Sequence, residues 1–428
     1  MMERTQGLGR RRFLALAAGA AGAAGSGLLP ALARAAQSSG SRGAPAGGGA
    51  ANAAAAGGGA APQLVKFPEK TDLILITDRP PNLETPLRWF REDLTPNEAF
   101  YVRWHLGILP TRVDTAEFRL SVGGHVERPL SLSLDELRTK FAPVSVVAVN
   151  QCSGNSRRFF EPRIPGAQWG NGALGNARWT GVRLRDLLAK AGPKAGAVDV
   201  SFGGLDGPTL PAAPPDYAGT PDFAKSLPFD RANDGEVMVA YEMNGQPLPM
   251  LSGFPLRLVV PGWYATYWVK ALNEINVLDI SFDGFWVAKA YRVPKNAGVQ
   301  ESPKDLANET VPIGAMTVRS LFVRPEPGEA VAAGAPFEVQ GLAMDSGKGI
   351  ARVEVSTDGG KTWAGAKLDA DIGKYSWRRW RFNWAPPPGA HRLMARATNA
   401  AGETQQTAQW NRSGYARNVI ESVDVTVS

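Results

Sequence analysis

The alternation of hydrophobic and polar residues follows different patterns in the two halves of the chain. Between about residues 80 and 312, strand and helix patterns are mixed. "AFYVRWHL" at 99–106 predicts a strand, and "EFRLSVGGHVERPLSLSL" predicts a hairpin followed by a helix that Ser133 and Glu136 begin as a capping box. "VSVVAVN" at 144–150 is typical of a buried strand, and "VRLRDLLAKAG" predicts a short amphipathic helix that ends at Gly192.

From about residue 313 the pattern changes to short alternating strands separated by turn sequences such as Asp358-Gly359-Gly360. This texture predicts an all-β sandwich of immunoglobulin type. Within it, Trp380, Phe382 and Trp384 alternate onto one face of a strand. The whole chain is therefore predicted to be α+β, and such sandwiches usually pack against another domain or subunit.

The N-terminus reads "RRRFLALAAGAAGAAGSGLLPALARAAQ", a basic start followed by a weakly apolar, glycine-rich stretch and small-residue cleavage patterns. It predicts a twin-arginine signal peptide at residues 1–35 and a periplasmic location. An ordinary signal or an anchor helix is the alternative, but no second apolar span follows, so no stable membrane insertion is expected. Residues 36–63 read as a disordered Ala/Gly-rich linker, which leaves domains at 64–312 and 313–428.

Composition excludes several kinds of site. The formal net charge is +7, but residues 1–35 hold five arginines and one glutamate, which leaves only +3 for the rest and no nucleic-acid footprint. A single cysteine rules out an intrachain disulfide, multi-cysteine zinc or iron–sulfur sites and a C-x-x-C-H haem attachment. With only three histidines, any bound metal would take most of its ligands from a cofactor.

The single cysteine, Cys152, follows the predicted buried strand in a loop that also carries Arg157 and Arg158. Three interpretations stay open: a buried structural cysteine, a nucleophile that would need a distant histidine as base, or one thiolate ligand to a metal whose other ligands belong to a cofactor. Nearby positive charge would favour the thiolate and attract an anion.

Two further pairs of residues bear on an anion site. Arg103 and His105 are two residues apart in a predicted strand, so both side chains are expected on one face, where they would suit anionic groups. Arg257 and Lys270 lie in otherwise apolar strands, where they need anionic partners if they are buried. The alternatives are a solvated strand face for the first pair and strand ends in water for the second.

Several stretches together resemble the sulfite oxidase family of molybdenum enzymes, in particular its bacterial periplasmic sulfite dehydrogenases. They run in order over nearly all of residues 80–428: "VRWHL", "NQCSGNSRR", "GALGNARWTGVRLRDLL", "VMVAYEMNGQPLP", "GFPLRLVVPG", "YWVK", "FDGFWVAKAYRVP" and "VEVSTDGGKTW". The resemblance implies a molybdopterin-binding α/β domain followed by an immunoglobulin-like dimerisation domain. It also implies a molybdenum that is held by molybdopterin, two oxo-type ligands and one protein thiolate, which Cys152 matches.

The resemblance also assigns roles by position. Arg103, Arg157, Trp169 and Tyr291 match the pocket that binds sulfite, and Arg103, Arg157 and Tyr291 would act in catalysis. The positions that match pterin and phosphate binding are His105, Asp206, Arg257 and Lys270. One departure occurs: the family's "WNLRG" reads "WNRSG" here, with Ser413 at the arginine position, so that Arg412 or Arg417 would substitute.

The resemblance implies a sulfite dehydrogenase that passes electrons to a c-type cytochrome. No haem is expected in this chain, and a homodimer or a heterodimer with a haem subunit would supply the partner. Three alternatives stay open: a molybdopterin-dependent reductase of a sulfoxide or other oxyanion, a non-catalytic β-rich periplasmic binding protein, and a cysteine hydrolase. The C-terminal β domain argues against the reductase, and no Cys/His/Asn set favours the hydrolase.

Overall fold

A computed structural model describes residues 63–207, 222–326 and 328–428, all of which belong to a compact unit that extends from Ala56 to Ser428. The predicted signal peptide and all but the last residue of the predicted linker lie outside the described residues. The described chain is built mainly from strands, because its apolar residues alternate or form short β-branched runs rather than long helical stripes.

Two helices longer than one turn occur where the sequence predicts them. α1 (Leu134–Lys140) begins with the expected capping box: the Ser133 Oγ accepts from the Glu136 amide at 3.1 Å, and the Glu136 carboxylate accepts from the Ser133 amide at 3.0 Å. α2 (Leu184–Ala191) buries its leucine face and ends at Gly192, whose φ of 69° requires glycine-like freedom. Single turns complete the set: α3 (Phe229–Ala232), α4 (Phe285–Ala288) and the 3-10 turns Leu87–Arg91, Arg157–Phe159, Met250–Ser252 and Ala265–Tyr267.

No helix among the described residues combines the length and the apolar composition that a membrane crossing would need.

Four sheets form the first part of the described chain, and their strands are antiparallel except for one parallel pair, β14 (Leu272–Leu278) with β5 (Leu120–Gly124). The first sheet holds β1 (Leu64–Val65), β2 (Leu73–Thr77), β3 (Asn82–Glu84) and β4 (Val102–Arg103). The second holds, in spatial order, β10 (Ala224–Pro228), β9 (Asp199–Gly204), β14 (Leu272–Leu278), β5 (Leu120–Gly124) and β6 (Leu130–Leu132). The third orders β12 (Gln246–Pro247), β11 (Met238–Met243), β8 (Leu174–Arg183) and β7 (Pro143–Gln151), with β13 (Arg257–Val259) also paired to β11, and a two-stranded ribbon joins β15 (Arg292–Pro294) to β16 (Thr310–Pro312).

The C-terminal part is a sandwich of two four-stranded sheets, as predicted. One orders β17 (Arg319–Arg324), β18 (Phe337–Met344), β22 (Arg378–Trp384) and β21 (Lys367–Leu368). The other orders β20 (Ala364–Gly365), β19 (Ile350–Ser356), β23 (Gly389–Asn399) and β24 (Glu421–Val427). Trp380 and Trp384 are buried in the core between the sheets and Phe382 packs against it, which is the predicted alternation.

One local prediction is wrong. "AFYVRWHL" forms only the two-residue strand β4, and His105 lies in a bend. The cause is a competition for backbone groups, because the guanidinium of Arg103 bonds the Trp104 carbonyl that a longer strand would use. The Trp104 indole also donates to the Leu251 carbonyl at 3.1 Å and fixes the chain away from the strand direction.

Candidate active site

Cys152 stands at the end of β7, where a buried strand passes into a polar loop. The last five residues of β7 are buried, and the Cys152 amide donates to the Ala173 carbonyl at 2.9 Å, so the thiol is placed by the core sheet. Its side chain is buried. The described residues contain no group of three or more His, Cys, Asp or Glu side chains that could hold a metal. A metal at Cys152 would therefore depend on a cofactor for its other ligands.

The loop after Cys152 is fixed by bonds from its own residues and from Glu84. The Ser156 amide donates to the Gly170 carbonyl at 2.7 Å, and the Asn155 Oδ1 accepts from the Ala173 amide at 3.0 Å. The buried Glu84 carboxylate accepts from the amides of Gly170 and Gly172 at 2.7 and 3.0 Å. These bonds tie the loop to residues 170–173 and leave the thiol at the floor of a cavity.

The cavity above Cys152 is lined largely by polar and cationic side chains. It brings together the predicted residues Arg103, His105, Cys152, Arg257, Lys270 and Tyr291, together with Tyr101, Ser153, Leu251, Ala265 and Thr266. Arg103 and His105 therefore lie at one cavity, as the strand pattern predicted. A two-residue strand followed by a bend, and not one longer strand, places them there. Arg257 and Lys270 lie at the cavity rather than at strand ends in water.

His105 and Tyr291 form a contact pair on one wall. The His105 Nε2 bonds the Tyr291 hydroxyl, and the imidazole stacks on Phe223 with ring centroids 3.8 Å apart. Burial lowers the pKa of His105 well below its usual value, and the charge of Arg103 lowers it further. Burial raises the pKa of Tyr291. At neutral pH the imidazole is therefore uncharged and the phenol keeps its proton.

The opposite wall carries cations with few anionic partners. The Arg257 guanidinium donates to the Ser252 carbonyl at 3.0 Å and to the Asn150 Oδ1 at 3.3 Å, and burial lowers its pKa to about 10. The Lys270 ammonium lies 4.4 Å from the centroid of the Trp104 ring. Burial lowers the pKa of Lys270 and raises that of Asp206, and each group's charge opposes the shift of the other. Asp206 is buried beside Lys270 but does not line the cavity.

These donors fit an anionic cofactor of the molybdopterin type. Among the described residues, the Arg257 Nε, the Ser153 Oγ and the Thr266 Oγ1 are buried without a hydrogen-bond partner, and all three residues line the cavity. An unpaired buried polar group costs free energy, so a chain that keeps several around one cavity is suited to a polar ligand there. The excess of positive charge requires that this ligand be negative, as a phosphate or a pterin dithiolene is.

Arg157 occupies a closed slot beside the cavity. Its Nη2 donates to the Ser413 carbonyl at 3.1 Å, and its guanidinium carbon lies 4.9 Å from the centroid of the Tyr415 ring. A Cβ at Gly166 would lie 2.5 Å from the Arg157 Nη1, and one at Gly414 would lie 2.8 Å from its Nε. A larger residue at either position would displace the Arg157 side chain, so the two glycines pack closely against it. Tyr415 stacks on Tyr291 with centroids 5.2 Å apart and so connects Arg157 to the cavity wall.

Four residues predicted to bind substrate do not line the cavity: Arg157, which lies in the slot beside it, and Trp169, Arg412 and Arg417. Trp169 is buried behind it, edge-on to Tyr101 at 6.3 Å between centroids. Arg412 is held away because its Nη2 binds the Glu301 carboxylate at 2.6 Å and the Ala307 carbonyl at 2.8 Å. Arg417 binds Glu421 and lies 5.4 Å from the Phe159 ring centroid, behind the Arg157 slot. Arg412 and Arg417 are the two candidates to replace the family's arginine. A carboxylate binds each of them, Glu301 and Glu421 respectively, and the assignment stays a prediction.

Sequence reasoning missed several residues of the site: Tyr101, Ser153, Phe223, Lys225, Thr266 and Tyr415. Lys225 is the most unusual, because it is fully buried in β10. Its Nζ donates to the Trp286 carbonyl at 2.5 Å and lies 4.5 and 5.1 Å from the ring centroids of Tyr267 and Tyr291. A lysine next to Ser226 in an alternating strand reads as a solvent-facing residue, so no signal in the sequence marks it.

Replacing Lys225 by methionine is expected to stabilise the protein most at low pH. Burial lowers the pKa of Lys225 from its usual 10.5 to about 7, so between these values the unfolded chain binds a proton that the folded chain lacks. The wild-type free energy of unfolding therefore rises across this window by about 1.4 kcal/mol per pH unit, and methionine contributes no such slope. Thermal unfolding from pH 6 to 10 measures it: the advantage of Lys225→Met should shrink as pH rises, whereas the exposed control Lys190→Met should show none.

Comparisons with known proteins cover most of the described chain. Residues 105–286 match the family model "Oxidoreductase molybdopterin binding domain", and residues 310–428 match "Mo-co oxidoreductase dimerisation domain". The chain is 34% identical over 371 residues to the human protein "Sulfite oxidase, mitochondrial", with 82% of this chain and 65% of that protein covered. Against "Sulfite oxidase" of Gallus gallus the identity is 34%, with 81% and 76% covered. The chain thus spans about 65% of the length of the mammalian relatives.

Two further comparisons bear on the function. "Nitrate reductase [NADH]" of Volvox carteri is 31% identical, with 82% of this chain and 43% of that protein covered. Among solved structures, the sulfane dehydrogenase SoxCD of Paracoccus pantotrophus superposes with a TM-score of 0.70 at 25% identity, over 82% of this chain and 85% of that one. The fold of the described chain is therefore that of a molybdopterin-binding domain followed by a β-sandwich.

Proposed function

Because the chain belongs to the sulfite oxidase family of molybdenum enzymes, we propose that it oxidises sulfite to sulfate with a molybdopterin-bound molybdenum held by Cys152. The observation that supports this most is the position of the only thiol at the floor of a cavity whose cationic and hydroxyl groups have few partners. Such a cavity is suited to an anionic cofactor and, beside it, an anionic substrate.

Cys152 would provide the protein ligand to the metal, while Arg257, Lys270 and His105 would hold the pterin and its phosphate. Ser153 and Thr266 line the same cavity with hydroxyls that have no partner among the described residues, and they would donate to this group. When bound, the cofactor supplies oxygen-atom transfer and takes up two electrons, so that sulfite and water give sulfate, two protons and two electrons. The protein's part is binding, orientation and electrostatics.

Arg103 and Arg157 would bind the oxygens of sulfite. A doubly charged anion gains most from guanidinium groups that are fixed before it arrives, and both groups are held by carbonyl or amide acceptors rather than by carboxylates. Tyr291 would orient the substrate by a hydrogen bond. Its hydroxyl keeps its proton, and the neutral His105 beside it can share that proton without adding charge to the pocket.

The electrons would pass to a c-type cytochrome in the periplasm. Support for the location comes from the twin-arginine sequence at Arg10-Arg11, and support for an external acceptor comes from the absence of a C-x-x-C-H motif in a chain with one cysteine. The match to a dimerisation domain over residues 310–428 favours a homodimer or a heterodimer with a haem subunit.

Molybdenum content and sulfite-dependent reduction of cytochrome c, measured on protein matured with its native leader, test the proposal. We expect about one metal per chain and turnover that depends on sulfite. Metal-free protein from a host that matures other molybdoenzymes would contradict the enzyme and favour a binding protein.

Reduction of an oxyanion is the second candidate, and the similarity to nitrate reductases over 82% of this chain favours it. The same holoenzyme, supplied with a reduced viologen dye and nitrate or a sulfoxide, distinguishes the two. Loaded protein that oxidises the dye with these acceptors but leaves sulfite unchanged would replace the first proposal by the second.

A further inference from the structure

A buried ion cluster of Arg319, Arg417 and Glu421 lies directly behind the Arg157 slot. The Arg319 Nη2 lies 2.6 Å from the Glu421 Oε1, and the same carboxylate oxygen accepts from the Arg417 Nη1. The side chains of Arg319 and Glu421 are 1% and 7% exposed, so this is a desolvated pair at the joint between β17 and β24. Two guanidinium groups share one carboxylate, which leaves the cluster with a net positive charge.

The cluster reaches the Cys152 loop through a single nitrogen. Besides Glu421, the Arg319 Nη2 contacts the Ser156 Oγ and lies 3.2 Å from the Asn171 Oδ1. Its Nε and Nη1 are buried without a partner among the described residues. An ion pair that served stability alone would be expected to satisfy those donors. The bonds that do form instead connect the C-terminal sandwich to Ser156, which precedes Arg157, and to Asn171, which follows it in the chain.

Ser156 links the ion cluster to the anion site. It has φ of 70°, a left-handed conformation that costs energy for a residue other than glycine, and it immediately precedes Arg157. A second connection comes from the segment after residue 411: the Ala416 amide donates to the Ser153 carbonyl at 3.0 Å, and the Ser413 carbonyl accepts from Arg157. The C-terminal domain thus bonds the loop before Arg157, at Ser153 and Ser156, and the Arg157 guanidinium itself.

We propose that Arg319 and Glu421 are positioning residues for anion binding: they hold Ser156 in its left-handed conformation and thereby set the direction of the Arg157 guanidinium. This inference rests on the proposed role of Arg157 in binding the oxyanion. Neither residue lines the cavity, so they act through Ser156 and not by contact with substrate. The consequence is that affinity for the anion depends on how the sandwich packs against the Cys152 loop.

The first variant is Glu421→Gln, which keeps the shape of the side chain and removes the charge that Arg319 and Arg417 share. We expect the KM for sulfite to rise about tenfold while kcat changes less than twofold, because the reacting groups are untouched and only the fixed direction of Arg157 is lost. The matched control is Asp424→Asn on the same strand, which removes the exposed Arg392–Asp424 pair. It should leave both constants unchanged.

Ser156→Gly provides a variant that does not threaten folding. Glycine adopts φ of 70° without strain, so the substitution keeps the backbone conformation and removes the hydroxyl that Arg319 contacts and that donates to the Asn171 Oδ1. A rise in KM of about threefold or more, with molybdenum content at the wild-type level, is expected. An unchanged KM in both Ser156→Gly and Glu421→Gln would overturn the proposal and leave the cluster a purely structural one.

Calorimetric titration of the loaded protein with inorganic sulfate separates this inference from the proposed function. Sulfate affinity that falls in Glu421→Gln and Ser156→Gly but not in Asp424→Asn supports the positioning role even if no variant, wild type included, oxidises sulfite. Wild-type turnover with equal sulfate affinity in all four proteins would instead retain the proposed function and reject the positioning role.

Discussion

Replacing Cys152 by serine is expected to lower sulfite turnover by at least about a thousandfold while the chain still folds. A metal ligand of this kind must be a thiolate, and a serine hydroxyl does not ionise to a comparable extent near neutral pH. No other cysteine exists to take its place, and the described residues offer no cluster of other ligands. The change from sulfur to oxygen removes little volume, so the thermal unfolding temperature of the chain should move by only a few degrees.

Three measurements make this result specific. Molybdenum and pterin content show whether the cofactor is lost or only inactive, and thermal unfolding shows whether the fold persists. Ser145→Ala provides a control on the same strand: its hydroxyl lies 2.8 Å from the Thr180 hydroxyl on the exposed part of β7. Wild-type turnover in a fully folded Cys152→Ser protein would mean that the thiol is structural. The assignment of the metal ligand would then fail, whatever the protein oxidises.

Replacing Arg103 by glutamine should lower kcat/KM for sulfite by about two to three orders of magnitude. A fixed guanidinium in a site shielded from water is worth several kcal/mol to a doubly charged anion, and glutamine offers a neutral donor of shorter reach. The charge of Arg103 lowers the pKa of His105 further and opposes the rise that burial causes in the pKa of Tyr291, so its removal should raise the pKa of both groups. The pH profile of kcat/KM should accordingly gain a titration step on its acidic side.

Fold stability distinguishes this effect from simple damage. The polar contacts of Arg103 within the chain go to the Asn82 amide oxygen, the Trp104 carbonyl and the Tyr291 hydroxyl, so its loss leaves no carboxylate unpaired. The free energy of unfolding should therefore change by less than the loss in transition-state stabilisation. The exposed Arg112→Gln serves as the charge-matched control, and equal kcat/KM for Arg103→Gln and this control would contradict the role in anion binding.

Much of the fold could be predicted because it depends on local signals. The capping box at Ser133, the glycine at the end of α2 and the alternation of β22 each follow from residues close together in sequence. Arg103 and His105 do reach one cavity, but by a different route from the predicted strand. The sequence pattern predicted that the two side chains lie on the same side of the backbone. The hydrogen bonds from Arg103 to the Trp104 carbonyl and from Trp104 to the Leu251 carbonyl determine the backbone path.

The candidate site could be predicted only in part because its remaining members are brought in over long distances. The pairing of β10 and the hydrogen bond to the Trp286 carbonyl place Lys225 near the Tyr291 ring. No local sequence pattern predicts that contact. Tyr415 reaches Tyr291 from the C-terminal domain. Arg412 shows the same long-range effect, since its guanidinium is bound by an acid, Glu301, more than a hundred positions earlier.

The cations around the cavity also have a consequence for how the chain matures. Arg103, Arg257 and Lys270 line one cavity with few anions among them, so the fold without a cofactor carries a repulsion that a bound anionic cofactor relieves. By mass action, a ligand that binds only the folded state stabilises it in proportion to the logarithm of its concentration over its dissociation constant. Empty chains should therefore open more often and be degraded sooner than filled ones. The charges that attract the ligand in the mature enzyme would thus also cause cofactor-free chains to be degraded selectively during maturation.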